Sequence, residues 1–193
     1  LLDWLAVELV ERGWSLKSLH RTIVLTRAYR RDSANRADLI EKDPDNRLLA
    51  RQTRLRLDAE LVRDAALVAS GILTQKVGGP PVYPPIPDGV MSLGQVKRVW
   101  NTSQGADRNR RGLYTFTYRV TPPPAFAVFD APDGLASCTR RNRSNTPLQA
   151  LTLLNDPAFF EAAQALARVI EKEGLASAFV RCTSRRPEPA ELA

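Results

Sequence analysis

The sequence is poor in the residues that most often carry chemistry. It has a single histidine, His20, a single methionine, Met91, and two cysteines, Cys138 and Cys182, in 193 residues. Any Ser-His-Asp or Cys-His arrangement would have to run through His20. That residue follows an apolar Leu19 on a short amphipathic stretch, where a surface or packing position fits it better. Two cysteines exclude a disulfide framework and a four-thiolate zinc site, and leave one bridge or two free thiols open. There is no CxxCH, so no c-type haem attachment is expected within this chain. Gly78-Gly79 runs into prolines instead of a helix, which excludes a phosphate-cradling loop. No apolar run approaches the roughly 20 residues of a membrane span. With no initiator methionine, no signal peptide and an opening inside a helical pattern, LLDWLAVELVERG, the chain reads as the C-terminal fragment of a longer protein, folded as one domain over 1–193.

Lysine is scarce too. Of 28 basic residues five are lysine and 23 arginine, and the formal net charge is +7. Arginine presents a planar fork suited to carboxylate, sulfate or phosphate, although basic composition speaks first to solubility and non-specific binding. Acidic clusters are weak. Asp43, Asp45 and Asn46 begin like a calcium loop but lack its glycine and distal glutamate. Glu60 and Asp64 lie four apart beside Arg63 and read as an ion-paired helix surface; a glycan-acting site built from Asp58, Glu60 and Asp64 is the alternative. No catalytic set and no metal-ligand set is expected.

What is present is helix punctuation. Leu2 to Arg12 carries an apolar stripe of Leu2, Leu5, Leu9 and Val10 and ends at Gly13. Ser15 caps a second helix that puts Leu19 and Ile23 inward, so the two form an αα-hairpin. Ala37 to Lys42 is a short helix closed by Asp43-Pro44-Asp45-Asn46. Asp58 caps Ala59 to Ser70, with Leu61, Ala65 and Val68 on one face. Residues 76–111 form an irregular insert rich in proline and glycine. Tyr114, Phe116 and Tyr118 alternate as a short strand does.

The chain is organised around SCTRRNRSNTPLQALTLLNDPAFFEAAQALARVIEKEG, 137–174. Thr146, Pro147 and Gln149 make a capping box at one helix start, Asp156-Pro157 starts a second, and Gly174 ends it. The expected core contains Leu5, Leu9, Trp14, Leu19, Ile23, Leu61, Val68, Phe116, Leu148, Leu151, Phe159 and Leu166. The fold class is mainly α: packed helical hairpins, an irregular proline-rich middle and one or two short β-strands.

One constellation is a candidate anion site: Arg140, Arg141, Arg143, Asn145 and Thr146, three guanidiniums before a helix N-terminus whose free amides favour anions. The competing reading pairs these arginines with the protein's own carboxylates, Asp130 or Asp133 for instance, and so locks the loop onto the fold. Nucleic acid is disfavoured as a partner, because Arg47, Arg51, Arg54 and Arg56 come with no helix-turn-helix, zinc or RNA-binding signature.

Four blocks, DWLAVELVERGWSLKSLHRTIVLTRAYRRDS, DPDNRLLARQTRLRLDAELVRDAALVASG, RGLYTFTYRVTPPPAFAVFDAPD and TRRNRSNTPLQALTLLNDPAF, resemble one family. It is the planctomycete-specific domain of unknown function, found C-terminal in large planctomycete and related bacterial proteins. The resemblance covers nearly the whole chain, most specifically at SNTPLQALTLLND and least at 86–111. It implies a scaffold or interaction module of a larger, extracytoplasmic protein, with haem in a separate upstream cytochrome c-type domain and no cofactor in this chain. The upstream domains of the same polypeptide are then the expected partners. Binding of anionic polysaccharide, sulfated or carboxylated, through the arginine cluster is the alternative. No catalytic residue carries over from the family.

Overall fold

The computed structural model of the chain describes residues 1–34, 36–93, 96–119 and 121–192. They are mainly helical, as expected, and fall into two compact units, Leu1–Arg56 and Leu57–Ala193.

The first unit opens with the expected hairpin, α1 (Leu2–Glu11) and α2 (Leu16–Val24). The Gly13 amide donates to Val10 O (3.0 Å) and the Trp14 amide to Leu9 O (2.8 Å), the paired bonds of a Schellman end. Gly13 and Trp14 both take positive φ, 64° and 61°. Ser15 Oγ accepts from the Ser18 amide at 3.2 Å and so starts α2. α2 stops at Val24, and the chain continues in turns. His20 lies exposed on α2. After α3 (Ala37–Lys42) comes a knot built by two side chains. The buried Asp43 carboxylate accepts from the amides of Arg47 (2.8 Å) and Leu48 (2.9 Å), and Asn46 exchanges bonds with Arg51 backbone N (3.1 Å) and O (2.7 Å). The calcium-like start is thus turn chemistry: carboxylate and amide replace a ladder the loop cannot form.

The second unit is arranged about α4 (Ala59–Ala69), which packs on α5 (Pro124–Val128), α7 (Pro157–Glu173), α8 (Leu175–Thr183) and a 3₁₀ turn at Gly112–Tyr114. α6 (Pro147–Asn155) lies against α5 and α7, and α9 (Pro189–Leu192) is the last element. Ala59, Phe126, Phe129 and Phe159 form the core, with Val62, Ala66, Ala125, Val128 and Ala131 against it. Expected and observed cores share Phe159 but differ elsewhere. Leu61, Val68, Leu148 and Leu151, and Trp14 in the first unit, are exposed. α4 turns Ala59, Leu67 and Ala69 inward, and α7 turns Ala162 and Ala165 inward with Phe159. Small side chains let helix axes approach closely, and the longer leucines are left on the outside.

The alternating segment does not form an extended strand. It makes single bridges, Val82 to Thr115 and Tyr118 to Thr121. Pro80, Pro81, Pro84 and Pro85 cannot donate, so pairing cannot propagate beyond Val82. The alternation is used all the same. Phe116 stacks on Tyr83 at 5.1 Å and meets Tyr118 edge-on at 4.9 Å, and Trp100 closes the cluster against Tyr83, its Nε1 donating to Pro84 O at 2.7 Å. Cys138 and Cys182 are both free and exposed. Among the described residues no helix is long and apolar enough to cross a membrane.

Candidate functional site

The first turn of α4 and the loop before α6 supply opposite charges to one site. Asp58 is the α4 N-cap, but its carboxylate makes no cap hydrogen bond. It turns instead toward the arginine loop, 4.0 Å from Arg141 Nη1 and 3.8 Å from Arg143 Nη2. Glu60 takes the bidentate role: Arg141 Nη1 and Nη2 donate to its two oxygens at 2.6 and 3.1 Å. One helical turn on, the Asp64 carboxylate is buried and accepts from Arg111 Nε (2.9 Å) and the Gly112 amide (2.6 Å). The Asp58–Glu60–Asp64 set is therefore occupied by arginines and an amide, an arrangement that holds charge in place.

The predicted site residues separate accordingly. Arg141 and Arg143 reach Asp58 and Glu60, 81 residues away in the case of Arg141 and Glu60. Arg140 is exposed and has no ion-pair partner among the described residues. Asn145 and Thr146 are exposed at the start of α6. The carboxylates suggested for the lock have other roles. Asp130 accepts from the Ser144 amide (2.8 Å) and hydroxyl, and Asp133 from the Leu135 amide (2.9 Å). The capping box is carried by Gln149. Its Oε1 accepts from the Thr146 amide at 3.4 Å, and its Nε2 donates to Val128 O at 3.0 Å and Ser144 O at 3.2 Å. The Thr146 hydroxyl takes its capping position without a full hydrogen bond. Gln149 is buried, so it ties the arginine loop and α5 to the start of α6.

Electrostatics follow the geometry. Burial pushes the Glu60 carboxyl up, but the Arg141 guanidinium outweighs it, and Glu60 sits below the ordinary glutamate value of 4.5. Arg141 is raised in turn by its bond to Glu60. A carboxylate lowered on folding contributes stability above its unfolded pKa and loses that contribution as pH falls through the folded value. Wild-type protein should therefore lose about half a kcal/mol from this partly solvated pair on acidification below about pH 4.5. Glu60→Gln should lack that part of the acid slope. Thermal unfolding of both proteins between pH 6 and pH 3 measures it, and identical slopes would sink the lock.

The roles of three further arginines gave no signal in the sequence, because an arginine in a polar stretch reads as solvent-facing. Arg63 is buried on α4, donates to Arg108 O at 2.9 Å and has its pKa pushed down by burial to about 10, which leaves it charged at neutral pH. Arg108 is paired with Glu161 on α7. Arg110 is fully buried. It donates to the carbonyls of Pro80 (3.1 Å), Lys76 (3.3 Å) and Gly78, and its guanidinium lies 3.8 Å from the centre of the Tyr114 ring. The glycine–proline stretch is irregular because an arginine, and not a ladder, satisfies its backbone.

A family model described as "PSD1: Protein of unknown function (DUF1553)" matches residues 1–193. No curated protein and no solved structure matches the chain.

Proposed function

The chain belongs to the PSD1 family of unknown function (DUF1553), and we propose that it is a non-catalytic scaffold or interaction module of a larger exported protein of planctomycete type. Its docking partner is the upstream, haem-bearing part of the same polypeptide. The resemblance of the four sequence blocks supports that setting. The observation that carries the docking role is Trp14. It is 70% exposed and holds a left-handed φ of 61°, a conformation that bulky residues avoid. Exposure and backbone strain both work against the folded chain, and such outliers gather where a surface is used. Trp4, Val7 and Val10 on α1 are exposed as well, and neither helix of the hairpin has a buried residue. Exposed apolar surface of this kind is what protein partners cover.

Trp14→Asn separates the two roles. Asparagine tolerates the left-handed region, so the variant should be as stable as wild type or more stable by about 0.5 kcal/mol. Binding to the purified upstream region should fall by about tenfold or more, as it does when a central aromatic is removed. Unchanged binding would refute docking through this hairpin.

One observation favours a second reading, an anionic-polysaccharide site at Arg140, Arg141, Arg143, Asn145 and Thr146. Among the described residues Arg140 has no ion pair and Arg143 only a distant one at 3.8 Å. Binding of a sulfated polysaccharide that disappears in an Arg140→Ala/Arg143→Ala double variant would support it; binding indifferent to both changes would remove it.

A further inference from the structure

A concentration of arginines without carboxylate partners among the described residues lies in the first unit. Arg27, Arg30, Arg31 and Arg36 line an open basin of about 750 Å³ together with Asp32, Ala34 and Ala50. Its volume falls within the range of small-molecule sites, and it is open, with every lining residue but Ala50 exposed. Four arginines and one carboxylate residue are among the lining, and that carboxylate is engaged: Asp32 Oδ1 accepts from the Ala34 amide at 3.0 Å. Arg36 is paired with Asp38 at 2.9 Å. Arg31 uses Nη1 on a neutral carbonyl, Ala50 O, at 3.2 Å. The guanidiniums of Arg27 and Arg30 bond to no described residue. Three cations without a carboxylate partner among the described residues therefore share one concavity, where like charges repel unless an anion joins them.

The basin is also built. Thr26 Oγ1 accepts from the Tyr29 amide (3.2 Å) and Thr26 O from the Arg30 amide (3.1 Å), which fixes a turn that projects Arg27, Arg30 and Arg31. Gln52 grips that turn from the far side of the unit. Its Nε2 donates to Ala28 O at 3.3 Å and Tyr29 O at 2.5 Å, and its amide to Asp32 O at 2.9 Å. The Asp43–Asn46 knot in turn positions the segment that carries Ala50 and Gln52. Guanidiniums mounted on a braced backbone lose less freedom on binding than free surface side chains do.

We infer that this basin binds a polyvalent oxyanion, a ligand with two or more sulfate, carboxylate or phosphate groups spaced to meet Arg27, Arg30 and Arg31. Arginine forks favour such groups through paired charge-assisted bonds. The site shares no lining residue with the loop at 140–146 or with the exposed Trp14 surface.

The test is calorimetric titration of the whole chain at low and moderate salt with three probes: tripolyphosphate, a sulfated heparin tetrasaccharide and a galacturonate oligomer. At least one should bind, and the one that binds best identifies the source of the oxyanion. Arg27→Ala/Arg30→Ala should weaken it by about tenfold or more and flatten the salt dependence. Gln52→Ala removes no charge but releases the turn, so it should weaken binding by a smaller factor. Trp14→Asn should leave this binding unchanged, so failure here is distinct from failure of the docking role. Absence of binding by all three probes at low salt overturns the inference. So does binding that Arg27→Ala/Arg30→Ala leaves intact in a variant whose circular dichroism is native.

Discussion

Gly112→Ala should destabilise the second unit by about 3 kcal/mol, because no space exists for one methyl group. A Cβ built at Gly112 falls 2.6 Å from Glu60 O, 2.8 Å from Glu60 Cα and 2.9 Å from Glu60 Cβ. These are mostly backbone atoms of α4, and they cannot rotate away. Gly112 cannot retreat either, since its amide is bound to buried Asp64 at 2.6 Å, with Arg111 Nε on the other oxygen. Relief would require separating the Arg111–Gly112 turn from α4, which breaks the Asp64 bonds and disturbs the Glu60–Arg141 pair together. The midpoint of thermal unfolding should fall by about 10 °C. Leu113→Ala, next door and 69% exposed, should cost no more than about 0.5 kcal/mol. A Gly112→Ala variant within 1 kcal/mol of wild type, measured by denaturant unfolding, would mean that the turn can shift and that the contact is not tight.

Arg110→Lys should cost about 3 kcal/mol and Arg110→Met about 4. No carboxylate accepts from Arg110 among the described residues, so charge neutralisation is not its role. Its guanidinium distributes donors over three carbonyls, Lys76, Gly78 and Pro80, and stacks on Tyr114, whose hydroxyl accepts from the Gly78 amide at 2.9 Å. Lysine brings a charge but a compact one. It cannot span the three oxygens or cover the ring, and it would remain buried. Methionine fills space but leaves the carbonyls without donors, and each such loss is costly when water cannot replace the donor. Hydrogen exchange at the Gly78 amide should accelerate in both variants by more than the global change accounts for, because the loop loosens before the helices do. If Arg110→Lys matches wild type in both stability and exchange, the carbonyl clamp does not hold the loop.

Helix ends were legible in the sequence because capping is local chemistry. Ser15, Asp156 with Pro157, and Gly174 mark boundaries that the structure keeps within a residue or two. Helix faces were harder to read. Leu61 and Val68 outrank Ala59 and Ala69 in hydrophobicity, yet the alanines are inside, because closeness of approach and not apolar area selected the face. The arginine loop at 140–143 was recognisable as a charge cluster. Its partners were not, since Asp58 and Glu60 stand some 80 residues earlier and no local pattern joins them. Arg110 was invisible for a related reason: its acceptors are backbone carbonyls, which every sequence has everywhere. The basin at Arg27–Arg36 depends on Gln52, a residue with no motif, reaching 23 and 24 positions back.

The reach of α4 also has a consequence in time. Its middle is bound by Gly112, 48 residues later, and its first turn by Arg141, 81 residues after Glu60. At a synthesis rate of about 5–20 residues per second, Arg141 follows Glu60 by roughly 4–16 s. Alone, an 11-residue helix is marginal in water. On the ribosome, then, the element about which the second unit is arranged is made early and completed late. Throughout that interval Leu67 and the alanine face are open to chaperones or to a neighbouring nascent chain.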